Sequence, residues 1–185
     1  MEKNLNITKA RVTSKGYLEV TYVDQNRNII NMKGSDPVHI DMKVVLRKLV
    51  PYMADVTEQR EMQGYRWDEP YDSLYNDDLV GRMNVTGVTV KGYQDSREMI
   101  LTGNRVLGIN KVMGITTPPV GTSLDGEAYE RCEDMRDLVD NFFYEVNLYI
   151  TEKKFGIRQG DLDFAEGEDP FDGDPTDDAE PITDE

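Results

Sequence analysis

After Arg158 the chain carries twelve acidic residues and not one Lys or Arg. Such a segment cannot bury enough apolar surface to offset the entropy of ordering it, and its like charges repel. A fold must therefore be built from residues 1–158, with residues 159–185 expected to form a disordered acidic tail. The formal charge of −15 becomes a local property, because residues 1–158 hold 24 acids against 21 bases. A domain so close to neutrality can still turn a basic face to a polyanion.

Within residues 1–158 the hydrophobic pattern switches between two periods. Residues 5–12 and 17–23 are β-type runs joined by Thr13-Ser14-Lys15-Gly16, which predicts a hairpin, and residues 29–32 predict a third strand. A helix follows, starting at Asp36-Pro37 or Asp41, with Met42, Val45, Leu46, Leu49, Met53 and Val56 at three-to-four spacing and a kink or break at Pro51. Residues 58–81 show no sustained period and read as a long acidic, aromatic loop. Its Tyr65, Trp67, Tyr71 and Tyr75 either pin the loop to the core or serve a function.

A second β-rich stretch has strand candidates at 85–91, 98–102, 105–109 and 111–116, punctuated by Gly92, Gly103, Asn104 and Asn110. Residues 125–155 form the clearest helix, with Ala128, Cys132, Met135, Val139, Phe142, Val146 and Tyr149 on one stripe and Gly156 as its stop. The order strands, helix, strands, helix predicts an α+β domain. Its antiparallel sheet would carry both helices on one face and leave the other open.

Catalytic chemistry finds little material. His39 is the only histidine, and Cys132 is the only cysteine and lies on a helix stripe, so a disulfide scaffold and a multi-histidine metal site are excluded. The carboxylates Asp68, Glu69, Asp72, Asp77 and Asp78 lack the fixed spacing of a cation site, and no phosphate-binding loop with its Lys-Ser/Thr ending is present. The expectation is a protein that is not an enzyme, with no catalytic residues, metal or cofactor. No apolar run approaches the ~18 residues of a membrane span and no signal-peptide core opens the chain, so a cytoplasmic protein without a membrane partner is expected.

Binding is better served. Lys9, Arg11, Lys15 and Tyr17 belong to the first hairpin, and Lys91, Tyr93, Arg97, Arg105 and Lys111 lie in or beside the second group of strands. Basic side chains that follow a nucleic-acid backbone, with aromatic rings to stack its bases, are the physics of single-strand binding. Scattered charges of this kind are also what any solvated strand face carries. In the tail, Phe164 and Phe171 are set among acids that include Asp169 and Asp172.

That tail resembles the acidic tails of bacterial and phage single-stranded-DNA-binding proteins, although its two aromatics are internal rather than terminal. The resemblance implies docking to replication or repair proteins through Phe164, Asp169, Phe171 and Asp172. Residues 85–92, 100–105 and 111–118 resemble small proteins carried in phage and prophage replication or recombination gene clusters, which implies a bacterial host cytoplasm. The leading expectation is a phage-type single-stranded-DNA-binding accessory protein whose tail recruits partners and competes with DNA. Its alternative is a protein-interaction module or DNA mimic that occupies a basic partner, and a homo-oligomer is compatible with either.

Overall fold

Alternation along the first two strands sorts their residues onto two faces. In β1 (Asn6–Val12) and β2 (Tyr17–Val23), Ile7, Ala10, Leu18 and Val20 are buried, whereas Lys9, Arg11, Tyr17 and Glu19 take the other face. A register shift between Ile7 and Lys9 lets Ile7 and Ala10, three residues apart, share the core side. The computed structural model describes residues 5–92, 96–121 and 129–157.

The hairpin turn closes through Gly16, at φ 82°, whose amide donates to the Thr13 carbonyl at 2.9 Å. β3 (Ile29–Pro37) runs five residues past the expected end at Met32. It continues because Gly34 leaves room for Tyr149, where any side chain would collide with the phenol ring; the Tyr149 hydroxyl donates to the Asp36 carbonyl at 2.6 Å.

His39 caps α1 (Ile40–Lys48), its Nδ1 accepting from the Asp41 amide at 3.3 Å. The expected disturbance at Pro51 is a full break at Leu49. α2 (Val50–Val56) then starts with Pro51 in its first turn, where a missing N–H leaves no helical bond unmade.

Residues 58–81 are less irregular than expected, since they contain two single turns and enter α3 (Asp77–Arg82). Trp67 packs edge-on between Tyr52, at 5.1 Å, and Tyr65, at 5.0 Å, and the Arg131 guanidinium lies 4.1 Å above the indole. Buried Asn76 closes the segment on itself. Its Nδ2 donates to the carbonyls of Arg66 and Pro70 and its Oδ1 accepts from the Arg66 amide. Burial accordingly pushes the Tyr65 phenol up to about 12. Tyr52, Tyr65 and Trp67 pin the loop to the helical layer.

The second half supplies β4 (Met83–Lys91), β5 (Glu98–Val106), β6 (Val112–Thr116) and β7 (Val120–Gly121). All pairings are antiparallel and the order across the sheet is β3-β2-β1-β4-β5-β6, with β7 continuing β6's edge alongside β5. The two strands expected at 98–102 and 105–109 are one. Gly103 marks close packing instead of a turn: a side chain there would strike the Asn84 carbonyl and meet the Met53 sulfur of α2 at 2.8 Å.

α4 (Cys132–Thr151) buries Cys132, Met135, Val139, Phe142, Val146 and Tyr149, the expected stripe. Of the helix expected from Asp125, residues 125–128, with Ala128 of the stripe, lie outside the described residues, and residues 129–131 form a turn ahead of it, so the helix starts at Cys132. It stops before Phe155 because Lys153, at φ 56°, turns the chain so that Phe155 can bridge Val38 and set its ring 4.7 Å from Tyr149.

Every helix that contributes to the core does so from one side of the sheet, which confirms the α+β class; among the described residues, no helix covers the other side. Among the described residues, no helix is long and apolar enough to cross a membrane.

Candidate nucleic-acid interface

Antiparallel register aligns side chains of neighbouring strands in rows across the open face. One row is Lys33, Glu19, Arg11, Gly87, Thr102 and Thr116, from β3 to β6. The next is Asn31, Thr21, Lys9, Thr89 and Ile100. Cations thus gather over β1 and β3, and small polar residues carry the face on toward β6. Gly87 keeps the centre low, because a side chain there would come within 2.6 Å of the Arg11 Cβ.

Glu19 organises the cations. It accepts from Arg11 Nε at 2.5 Å and stands 3.5 Å from Lys33 Nζ. The Arg11 guanidinium holds the Glu19 carboxyl below the usual carboxylate range, so Glu19 stays ionised at neutral pH and, with Arg11 and Lys33 both cationic, the trio is still positive on balance. A shallow depression of 310 Å³ runs between Lys9, Arg11, Glu19, Thr21, Asn31 and Lys33.

The nine residues expected at this interface separate into groups. Lys9 and Arg11 lie on the open face, and Tyr17 takes the same face at its margin. Lys15 is exposed at the tip of the β1–β2 hairpin, and Lys91 is exposed at the opposite end of the sheet beside Glu98. Lys111 is exposed in the β5–β6 turn, where Asn110 adopts φ 56°. Tyr93 lies outside the described residues, as do Phe164, Asp169, Phe171 and Asp172.

Arg97 and Arg105 are not brought to this face. Arg97 pairs with Asp140 of α4 at 2.6 Å. Arg105 lies on the helix side and donates to Glu61, whose side chain is only 4% exposed. Burial pushes the Glu61 carboxyl up, but hydrogen bonding and the charge of Arg105 outweigh it, and the net shift is downward. Both arginines tie helical-layer segments to the sheet.

Lys33 was missed in the sequence because β3 was expected to stop at Met32. Lys43 and Arg47 were missed as well. They stand four residues apart on the polar side of α1 and reach a cleft shared with the β1–β2 turn. The signal available was that i,i+4 spacing of two cations without an acid between them.

Among the described residues, no group of three or more His, Cys, Asp or Glu side chains could hold a metal ion, and Cys132 is buried. His39 is occupied as a helix cap. Compared with known protein families, curated proteins and solved structures, the chain matches none.

Proposed function

We propose that this chain is a phage-type single-stranded-DNA-binding accessory protein of replication or recombination, which engages the strand across the open sheet face. The observation that carries the reading is the cluster of Lys9, Arg11 and Lys33 on a small-polar sheet surface that no helix covers among the described residues. Tyr17 is the single aromatic ring on that face among the described residues, so affinity comes mainly from phosphate contacts, with little from stacking. The acidic segment 159–185 serves in this reading as a tethered competitor for the basic face and as the docking peptide for replication or repair proteins, through Phe164, Asp169, Phe171 and Asp172.

Fluorescence anisotropy with a labelled thymidine oligonucleotide over a salt series tests this reading. Replacing Lys9, Arg11 and Lys33 together by Ala should weaken binding and flatten the slope of log K against log salt by about 2, at about 0.7 per lost phosphate contact on single strands. Arg82→Ala, on α3, should leave the slope unchanged. Absence of binding at low salt, in both the full chain and a version stopped at Gly160, would defeat the proposal.

A second reading has its own observation. Val106, Ile109, Val112 and Met113 are 40%, 70%, 65% and 40% exposed on the β5–β6 hairpin at the sheet's edge. An apolar hairpin of this kind suits a protein-interaction module. That reading takes over if oligonucleotide binding fails.

A further inference from the structure

Where β1 and β4 part company, the sheet opens into a cleft of about 600 Å³. The last β1–β4 partners are Arg11 and Gly87. Beyond them the β1–β2 turn and the start of β4 diverge over α1. Val12, Leu46 and Val85 contribute apolar lining; Thr13, Ser14, Asn84, Thr86 and Asn104 contribute polar groups. Three cations, Lys15, Lys43 and Arg47, line this space, and among the described residues its lining contains no carboxylate.

We propose that this cleft is a binding site for a phosphate monoester of nucleotide size, either the phosphorylated end of a strand or a free nucleotide. The charge imbalance is the first reason. Lys15 and Lys43 have no acidic partner among the described residues, and the cleft brings these two ammonium groups together with the Arg47 guanidinium. Among the described residues, Arg47 meets the Tyr71 ring, at 5.6 Å, and makes no hydrogen bond or ion pair.

The second reason is a set of unused polar groups. The side chains of Ser14, Asn84 and Asn104 make no hydrogen bond among the described residues. Asn84 and Asn104 are direct cross-strand partners whose neighbours Val85 and Gly103 face the helices, so their carboxamides stand side by side where the cleft meets the open face of the sheet. A guanidinium and two ammonium groups suit a dianionic phosphate, and paired carboxamides suit the donor and acceptor edge of a base or sugar. The volume falls within the range of small-molecule sites, roughly 300–1,000 Å³.

The third reason is that the site is built on fixed parts. The turn is closed by the Gly16 amide on the Thr13 carbonyl and by the Tyr17 amide on Thr13 Oγ1 at 3.1 Å. The Gly16 carbonyl accepts from the Val38 amide at 2.8 Å, which anchors the turn to the chain leading into α1. The Lys43 ammonium lies 3.8 Å from where a side chain on Gly16 would begin, which places it against the turn.

The test uses the full chain with four probes: thymidine monophosphate, inorganic pyrophosphate, and one oligonucleotide carrying either a phosphate or a hydroxyl at its 5′ end. Calorimetry reads affinity, and amide shifts of residues 14–16 report the place. If the ligand is a strand end, the phosphorylated oligonucleotide binds roughly tenfold tighter than its hydroxyl counterpart, the scale of one charge-assisted hydrogen bond. If the ligand is a free ester, thymidine monophosphate binds and shifts residues 14–16 without any end preference.

Lys43→Gln with Arg47→Gln should abolish either effect while hydroxyl-ended binding to the open face persists. Both residues are exposed, so thermal unfolding should be unchanged. The proposal is overturned if no probe shows the effect or if the double variant retains it. Loss of hydroxyl-ended binding alone would count against the open-face reading and leave this site standing.

Discussion

Arg105 offers the sharpest test of whether a basic residue in this chain is structural. Its guanidinium and the Glu61 carboxylate form a largely buried pair, with side chains 15% and 4% exposed, between β5 and the segment that follows α2. Among the described residues, Glu61 Oε2 and Arg105 Nε have no hydrogen-bond partner, so the pair recovers its desolvation cost only in part. Removing one member leaves an uncompensated buried charge. Arg105→Met should therefore cost about 3–5 kcal/mol at pH 7, whereas Glu61→Leu combined with Arg105→Met should range from neutral to about 1–4 kcal/mol more stable than the parent.

The pH dependence has a definite sign. The Glu61 carboxyl is held below its unfolded value, so its contribution is fully present above the ordinary carboxylate range and is lost as pH falls through the depressed folded value. The advantage of the double variant over the parent should accordingly widen toward acid. Urea unfolding of parent, single and double variants at neutral and acidic pH measures all of this. A single-variant cost below ~1 kcal/mol, the scale of surface substitutions, would refute the reasoning, as would a double variant no more stable than Arg105→Met.

Phe142→Ala removes a ring with 0% exposure from the centre of the core and should cost about 3–5 kcal/mol in the same unfolding assay. A value near zero would show that α4 does not carry the core. Gly103→Ala should destabilise by about 1–3 kcal/mol, because the new methyl has to displace Met53 or the β4 backbone; an unchanged midpoint in urea would count against close packing as the reason for this glycine. Stopping the chain at Gly160 should tighten oligonucleotide binding, most at low salt, since it removes twelve tethered acids that compete for Lys9, Arg11 and Lys33. Equal affinities with and without residues 161–185 would remove the self-competition role.

By itself, the sequence determined most of the local structure. Period-two runs fixed the two faces of β1 and β2, and the three-to-four stripe of α4 selected Cys132, Met135, Val139, Phe142, Val146 and Tyr149 for burial, because those patterns depend only on neighbours along the chain. Pro51 announced the α1–α2 break for the same reason. The tertiary structure alone decided what glycine meant at 34 and 103. Read locally, Gly103 was a turn; in the fold both positions are close approaches, to Tyr149 and to Met53, made by helices distant in sequence.

The same division holds for the candidate site. Residue type marked Lys9, Arg11, Arg97 and Arg105 equally as cations, yet packing left the first two on the open face and joined the others to Asp140 and Glu61, 43 and 44 positions away. Lys15, Lys43 and Arg47 entered a common cleft only because a turn was folded over α1. Charge is a property of a residue, but whether that charge is free for a ligand depends on which distant carboxylate the fold places beside it.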